Sequence, residues 1–226
     1  MSNSSAAQLQ RGVIVEFDFA VLPGHALLLD ICSKRFAKEG LNLDAALMAR
    51  SMGGKSFSSG LNALCNKQQK TVDVPAVIAD CNAEFTEALK GKLSTVPEGF
   101  MDFVKALVAK NIKVVIVSRA DSGAVQACFG GIQSDLFTVL HDVSSGFGFY
   151  SWDGWRRTAR KTDLHERLCV AVGGSGFSAK GALSSGMGVM VKDNPLTEYQ
   201  DFSGCDVHIA EFSAGLAADA VRILRV

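Results

Sequence analysis

Short runs of β-branched and other apolar residues recur along the chain and predict β-strands. Five runs stand out, each four to six residues long, and a weaker one follows near the end; they cover residues 13–17, 113–117, 135–140, 168–172, 188–191 and 207–209. The stronger runs are largely apolar on both faces. This is typical of strands in a parallel sheet that is covered on two sides.

Helical periodicity alternates with these strands. Apolar positions recur every three to four residues between residues 100 and 108 and again between residues 216 and 224. Thr95 and Glu98, just before the first of these segments, fit a capping box. The alternation of strand and helix predicts an α/β fold with right-handed connections.

The segment between the first two strands differs, because it contains helical patterns and no convincing strand. The patterns fall at residues 27–37, 43–50, 60–66 and 75–89. A helical insertion after the first strand of an α/β sheet has the outline of a cap domain. It would close over the carboxyl ends of the strands, where ligands bind, and exclude water. We therefore expect a disordered tail at residues 1–11, a core at residues 12–20 and 95–226, and a cap at residues 21–94.

Charge and cysteine usage narrow the class of protein. The 226 residues contain 23 basic and 23 acidic side chains, and this neutral balance argues against a dedicated nucleic-acid binder. No apolar run approaches the roughly 18 residues that cross a bilayer, so no membrane partner is expected. The six cysteines show no metal-binding spacing, which favours reduced thiols in a cytoplasmic protein.

Four segments together resemble the haloacid dehalogenase (HAD) superfamily. They are the strand that runs into Asp18, the strand that ends in Ser118, the segment around Phe149, and the strand that ends in Gly173 and Gly174. The chain is similar to the group with a helical cap, which includes small-molecule phosphatases and β-phosphoglucomutase-like proteins. The resemblance spans residues 12–195. It implies a three-layer Rossmannoid core with a central parallel sheet, and a helical cap inserted after the first strand.

The resemblance also implies a set of chemical roles. In the family, one Asp attacks phosphorus, a second Asp acts as general acid and base, and acids after the fourth strand help to hold Mg²⁺. A Lys and a Ser or Thr steady the phosphoryl group. In this chain those positions hold, in the same order, Glu16, Asp18, Gly173 with Gly174, Phe149 and Ser118.

These residues predict that phosphatase chemistry has been lost. Glu16 is one methylene longer than Asp, and an error of about 1 Å in attack geometry can reduce a rate about 100-fold. Gly173 and Gly174 offer no side-chain oxygen to Mg²⁺, and Phe149 cannot stabilise an anionic transition state. We therefore expect no metal or other cofactor, and a non-catalytic ligand-binding or regulatory protein. The alternatives are an active hydrolase of a small phosphorylated metabolite, and a structural subunit that uses Phe149, Trp152 and Trp155 as an apolar contact.

Three further residues are candidates for binding a phosphorylated or anionic metabolite. Arg119 either reaches Glu16 and Asp18, replacing the missing positive charge, or points into solvent. Lys55 either reaches a substrate anion or belongs to a plain turn between helices. Ser175 lies in a glycine-rich loop that either cradles phosphate or is simply flexible. Ser118 itself either binds an anion or caps the following helix.

The sheet predicts where these residues meet. The strand at residues 13–17 is expected to be central, with the strands at 113–117 and 168–172 on either side. The carboxyl ends of parallel strands meet at one edge of a sheet. Glu16, Ser118 and Gly173 should therefore converge there.

Overall fold

Helices and strands alternate along the chain, as the sequence pattern predicts. The computed structural model describes residues 10–90, 96–130, 134–142 and 149–224. The strands are β1 Gly12–Glu16, β2 Lys113–Ser118, β3 Thr138–His141, β4 Cys169–Gly173, β5 Gly188–Lys192 and β6 Val207–Ile209. The helices are α1 Gly24–Ala37, α2 Ala45–Leu47, α3 Phe57–Gln68, α4 Val74–Lys90, α5 Glu98–Val108, α6 Ser122–Cys128, α7 Trp152–Lys161, α8 Gly176–Ser185 and α9 Leu216–Ile223.

The six strands form one parallel sheet in the order β3-β2-β1-β4-β5-β6. The predicted central position of β1, between β2 and β4, is confirmed. Val15 pairs with Ile116 on one side and with Val172 on the other. Val13 and Val15 belong to one hydrophobic cluster, whereas Ile14 belongs to a second cluster. The central strands are therefore buried on both faces, as their apolar sequences predict.

Two predictions at the ends of elements need correction. The strand predicted at residues 135–140 begins only at Thr138, because Ser134–Leu136 form a 3₁₀ turn and pairing with β2 starts at Val115 and Thr138. Arg11, assigned to the tail, accepts a hydrogen bond from the Lys113 amide and so extends the pairing of β1 with β2. Residues 1–9 and Thr95 of the predicted capping box lie outside the described residues.

Helices α1 to α4 fill the segment that the sequence assigned to a cap, and the described part of that segment contains no strand. α2 is a single turn that continues as the π-helical turn Met48–Met52. Helix α4 joins this segment to the core. Its Phe85 contacts Phe19, which follows β1, with ring centroids 6.3 Å apart, and its Leu89 carbonyl accepts a hydrogen bond from the Cys128 thiol of α6. The boundaries of the cap stay a prediction. Across the described ranges, no helix is long and apolar enough to span a membrane.

Candidate functional site

The carboxyl ends of three adjacent strands form the candidate site. Glu16 ends β1, Ser118 ends β2 and Gly173 ends β4, so the predicted convergence of these residues is confirmed. A π-helical turn, Phe17–Val21, follows β1 directly and carries Asp18 over the same edge. π-helical turns of this length often occur at functional sites.

Asp18 is held rigidly by the end of β2. The Ser118 hydroxyl donates to Asp18 Oδ1 at 2.6 Å, and the main-chain N–H of Arg119 donates to Oδ2 at 2.8 Å. Asp18 is only 2% exposed. Burial raises the pKa of its carboxyl, and the bonds from Ser118 and Arg119 partly offset that rise. Of the two predicted roles of Ser118, capping α6 is wrong, because Asp121 accepts the helix N–H instead.

Glu16 is a buried and mainly protonated acid. Its Oε2 accepts a hydrogen bond from the Gly174 amide at 3.0 Å, and its Oε1 is buried with no hydrogen-bond partner among the described residues. Burial raises the pKa of Glu16 to about 8, although the Ser178 hydroxyl and the Gly174 amide act in the opposite direction. At pH 7 the neutral form therefore predominates.

Arg119 is buried, so the prediction that it points into solvent is wrong, and its positive charge lowers the pKa of both Asp18 and Glu16. It is 3% exposed, and its guanidinium carbon lies 5.9 Å from the ring centroids of both Phe19 and Phe57. Among the described residues, no ion pair joins the guanidinium to Glu16 or Asp18. The two aromatic faces attract the guanidinium, while the Asp18 oxygens are already bonded to Ser118 and to the Arg119 amide. The side chain thus links the core turn to helix α3.

Little space remains at this edge of the sheet. The cavity between Glu16, Asp18, Ser118, Arg119 and Tyr150 has a volume of about 10 Å³. One water molecule needs about 10–15 Å³ of such volume, so a phosphate ion does not fit in this conformation. The site is packed rather than open.

The oxygen atoms at this edge do not match a magnesium shell. Mg²⁺ requires near-octahedral oxygen ligands, usually including one or two carboxylates. Both Asp18 oxygens already accept protein hydrogen bonds, and Gly173 and Gly174 contribute no side-chain oxygen. The described ranges contain no cluster of three or more His, Cys, Asp or Glu side chains that could hold a metal.

The other predicted binding residues lie away from the cavity. The Lys55 ammonium donates to the Ser51 carbonyl at 2.8 Å, within its own turn. Ser175 is fully buried, and its side chain accepts the Ser178 N–H as the N-cap of α8. The glycine-rich loop before α8 is buried, and its two predicted roles, a phosphate cradle or a flexible loop, stay predictions. Neither Lys55 nor Ser175 lines the space beside Asp18.

Aromatic packing occupies the position where the resemblance implies a Lys. The Phe149 ring lies 5.8 Å from the Phe177 ring of α8. Phe177 in turn fits against Gly54 of the cap, where an added Cβ would lie 2.6 Å from its ring. Phe149 therefore belongs to a contact between cap and core.

A polar cluster beside the site was not predicted. The Tyr150 hydroxyl donates to Asp142 at 2.8 Å, and Arg157 donates to the same oxygen at 2.9 Å. Burial raises the pKa of Tyr150, so its hydroxyl stays protonated. Asp142 directly follows β3, and this polar residue at a strand end is the signal that could have revealed the cluster.

Comparisons with known proteins identify the fold. No protein-family model matches the chain, and neither does any curated protein. Solved structures do match. CbbY from Rhodobacter sphaeroides, in complex with phosphate, superposes with a TM-score of 0.73 at 16% identity, covering 94% of this chain and 99% of CbbY.

Two further solved structures superpose on this chain with the same fold. β-Phosphoglucomutase from Clostridium difficile has a TM-score of 0.70 at 14% identity, with 92% of this chain and 93% of that one covered. A family IA HAD hydrolase from Entamoeba histolytica has a TM-score of 0.71 at 16% identity, with 96% and 100% covered. This chain has the HAD fold. The helical segment after β1 fits the helical-cap type of that fold, and at these identities the likeness concerns architecture alone.

Proposed function

We propose that this HAD-fold chain does not catalyse Mg²⁺-dependent phosphoryl transfer and acts as a non-catalytic ligand-binding or regulatory protein. The observation that carries the proposal is the closed packing around Glu16, which stands where the resemblance places the attacking Asp and lines a cavity of only about 10 Å³. With its pKa at about 8, this carboxyl is mainly protonated at pH 7. A protonated carboxyl is a poor nucleophile, because its oxygen lacks the charge that would attack phosphorus.

Two neighbouring positions support the proposal. Gly173 and Gly174 stand where metal-binding acids are implied, so we propose no magnesium ion and no other cofactor. Phe149 packs on Phe177 in place of a cation and cannot stabilise charge on a phosphoryl group. A phosphoryl transfer would therefore lack the acids that hold the metal and the Lys that the resemblance implies.

The ligand that we propose is a small phosphorylated or anionic metabolite. CbbY, which shares the fold, was solved in complex with phosphate, and this chain places the buried cation Arg119 close to the edge of the sheet. Because the cavity measures only about 10 Å³, such a ligand would enter only after the residues that line the cavity rearrange. The cytoplasmic location proposed from the cysteines is compatible with a metabolite of this kind.

A structural role is the second candidate. The closed cavity favours it, and so does Trp152, which is 51% exposed beside the half-exposed Arg156. Exposed aromatic residues of this kind are enriched at protein interfaces. In this case the chain would serve as a subunit that contacts its partner through Trp152 of helix α7. Trp155, which the sequence analysis assigned to the same contact, is fully buried and cannot take part in it.

One experiment distinguishes these functions. The purified protein is incubated with a panel of phosphate esters, with and without Mg²⁺, and its melting temperature is measured with the same compounds. The proposal expects no phosphate release and a rise in melting temperature with at least one compound. Metal-dependent turnover would contradict the proposal and would support an active hydrolase. Neither turnover nor stabilisation would favour the structural subunit.

A further inference from the structure

The glycine at position 174 lies in direct contact with the main chain of the turn that follows β1. A Cβ atom added at Gly174 would lie within 3.0 Å of the main-chain oxygen and carbon of Phe19, and 2.8 Å from the Phe19 Cβ. Real Cβ atoms essentially never approach other atoms this closely. Because the obstacle is mainly backbone, no choice of rotamer removes it. A side chain at this position requires the turn itself to move.

The turn is fixed from its other side as well. A Cβ at Gly24, the first residue of α1, would lie within 3.0 Å of the Asp18 carbonyl oxygen. The Phe19 side chain is buried, and its ring centroid is 4.6 Å from that of His25. Both carboxylate oxygens of Asp18 are bonded to the end of β2. A shift of the turn away from Gly174 would therefore disturb three sets of contacts.

Gly173, the adjacent glycine, has more room. A Cβ at this position would meet the Ser178 Cβ at 3.0 Å, Glu16 Oε2 at 3.6 Å and the Ala179 amide nitrogen at 3.8 Å. The first contact is tight but needs a shift of only a few tenths of an ångström, and the other two are ordinary contacts. Neither Gly173 nor Gly174 has a positive φ, so the backbone at both positions accepts an L-residue. The two glycines differ only in what surrounds them.

We infer that the packing of the turn after β1 excludes a metal-binding carboxylate at position 174, so that a side chain at this position cannot help to restore a magnesium site. The inference rests on the proposed loss of Mg²⁺-dependent chemistry and adds a structural reason for it. In this view Gly174 is required by the fold. The Gly174 amide also donates a hydrogen bond to Glu16. Phe19 occupies the space that a side chain at position 174 would need.

Gly174→Ala tests the inference, with Gly173→Ala as the matched control. Alanine keeps the amide that binds Glu16 and adds only the Cβ atom. Overpacking of this kind is expected to lower the melting temperature of Gly174→Ala by at least about 5 °C, or to prevent folding. Gly173→Ala should fold, and its melting temperature should fall clearly less. Equal melting temperatures for the two variants, or failure of both to fold, would overturn the inference.

A second measurement addresses the metal directly. The melting temperature of Gly174→Asp is measured with and without about 10 mM Mg²⁺. This concentration is on the order of 10⁴ times a Kd of about 1 μM and would raise the melting temperature of a protein that binds the ion with that affinity. No Mg²⁺-dependent rise is expected, and a rise would overturn the inference. These outcomes are separate from those of the ester panel. Turnover by the natural chain would contradict the proposed function but not the inference about position 174. A Gly174→Ala variant as stable as Gly173→Ala would contradict the inference but not the proposed function.

Discussion

Replacing Glu16 with Gln should make the free energy of unfolding less sensitive to rising pH. Gln has nearly the same shape and cannot ionise. In the folded chain the pKa of Glu16 is raised to about 8 from an ordinary value of 4.5, chiefly by burial. Below pH 4.5 the carboxyl is protonated in both folded and unfolded chains. Between pH 4.5 and 8 only the folded chain holds the proton, so the natural protein loses stability as pH rises through this window.

The size of the effect follows from the two pKa values. Each pKa unit corresponds to about 1.4 kcal/mol, so the full window amounts to at most about 5 kcal/mol. This is comparable to the total stability of many domains, which is about 5–15 kcal/mol. Relative to the natural protein, Glu16→Gln should therefore gain stability by about 1.4 kcal/mol for each pH unit between 5 and 8.

Urea unfolding at several pH values measures this gain, with the fluorescence of the buried Trp155 as the signal. Other titrating groups are present in both proteins and cancel in the difference. Glu198→Gln is the matched control, since Glu198 is exposed and its variant should show no pH-dependent difference. A stability difference for Glu16→Gln that stays constant from pH 5 to pH 8 would refute the argument that Glu16 is protonated by burial.

Two further substitutions test the packing around the site. Ser118→Ala removes the hydroxyl that donates to Asp18 and should lower the free energy of unfolding by about 1–3 kcal/mol in urea, whereas the exposed Ser213→Ala should change it little. A Ser118→Ala variant as stable as the control would contradict this role. Phe57→Ala removes the cap ring that contacts Arg119 and should cost about 3–5 kcal/mol, while Phe57→Leu should cost less because it keeps volume. Equal losses in the two variants would argue against a packing role.

The sheet could be predicted because its signals are local. Uniformly apolar runs such as Val13 to Val15 have only one favourable environment, a strand covered on both faces. The order of the central strands then placed Glu16, Ser118 and Gly173 at one edge. The ends of the strands therefore predicted which residues meet at this edge of the sheet.

The internal arrangement of the site could not be predicted, because it depends on residues distant in sequence. Arg119 turns toward Phe57, which lies 62 positions earlier in the chain and comes near only once the cap is folded. The π-helical turn that brings Phe19 against Gly174 has no periodic signature in five residues. Charge alone suggested that Arg119 would pair with the acids. The position of its guanidinium beside the rings of Phe19 and Phe57 depends on contacts that charge does not reveal.

Phosphate release by the natural protein and by Glu16→Gln, each with Mg²⁺ and with a chelator, tests the central claim most directly. If Glu16 is a buried, protonated acid in a fold without phosphoryl-transfer chemistry, all four rates should equal the rate without protein. Release by the natural protein that requires Mg²⁺ and disappears in Glu16→Gln would show that Glu16 attacks phosphorus and would contradict the account.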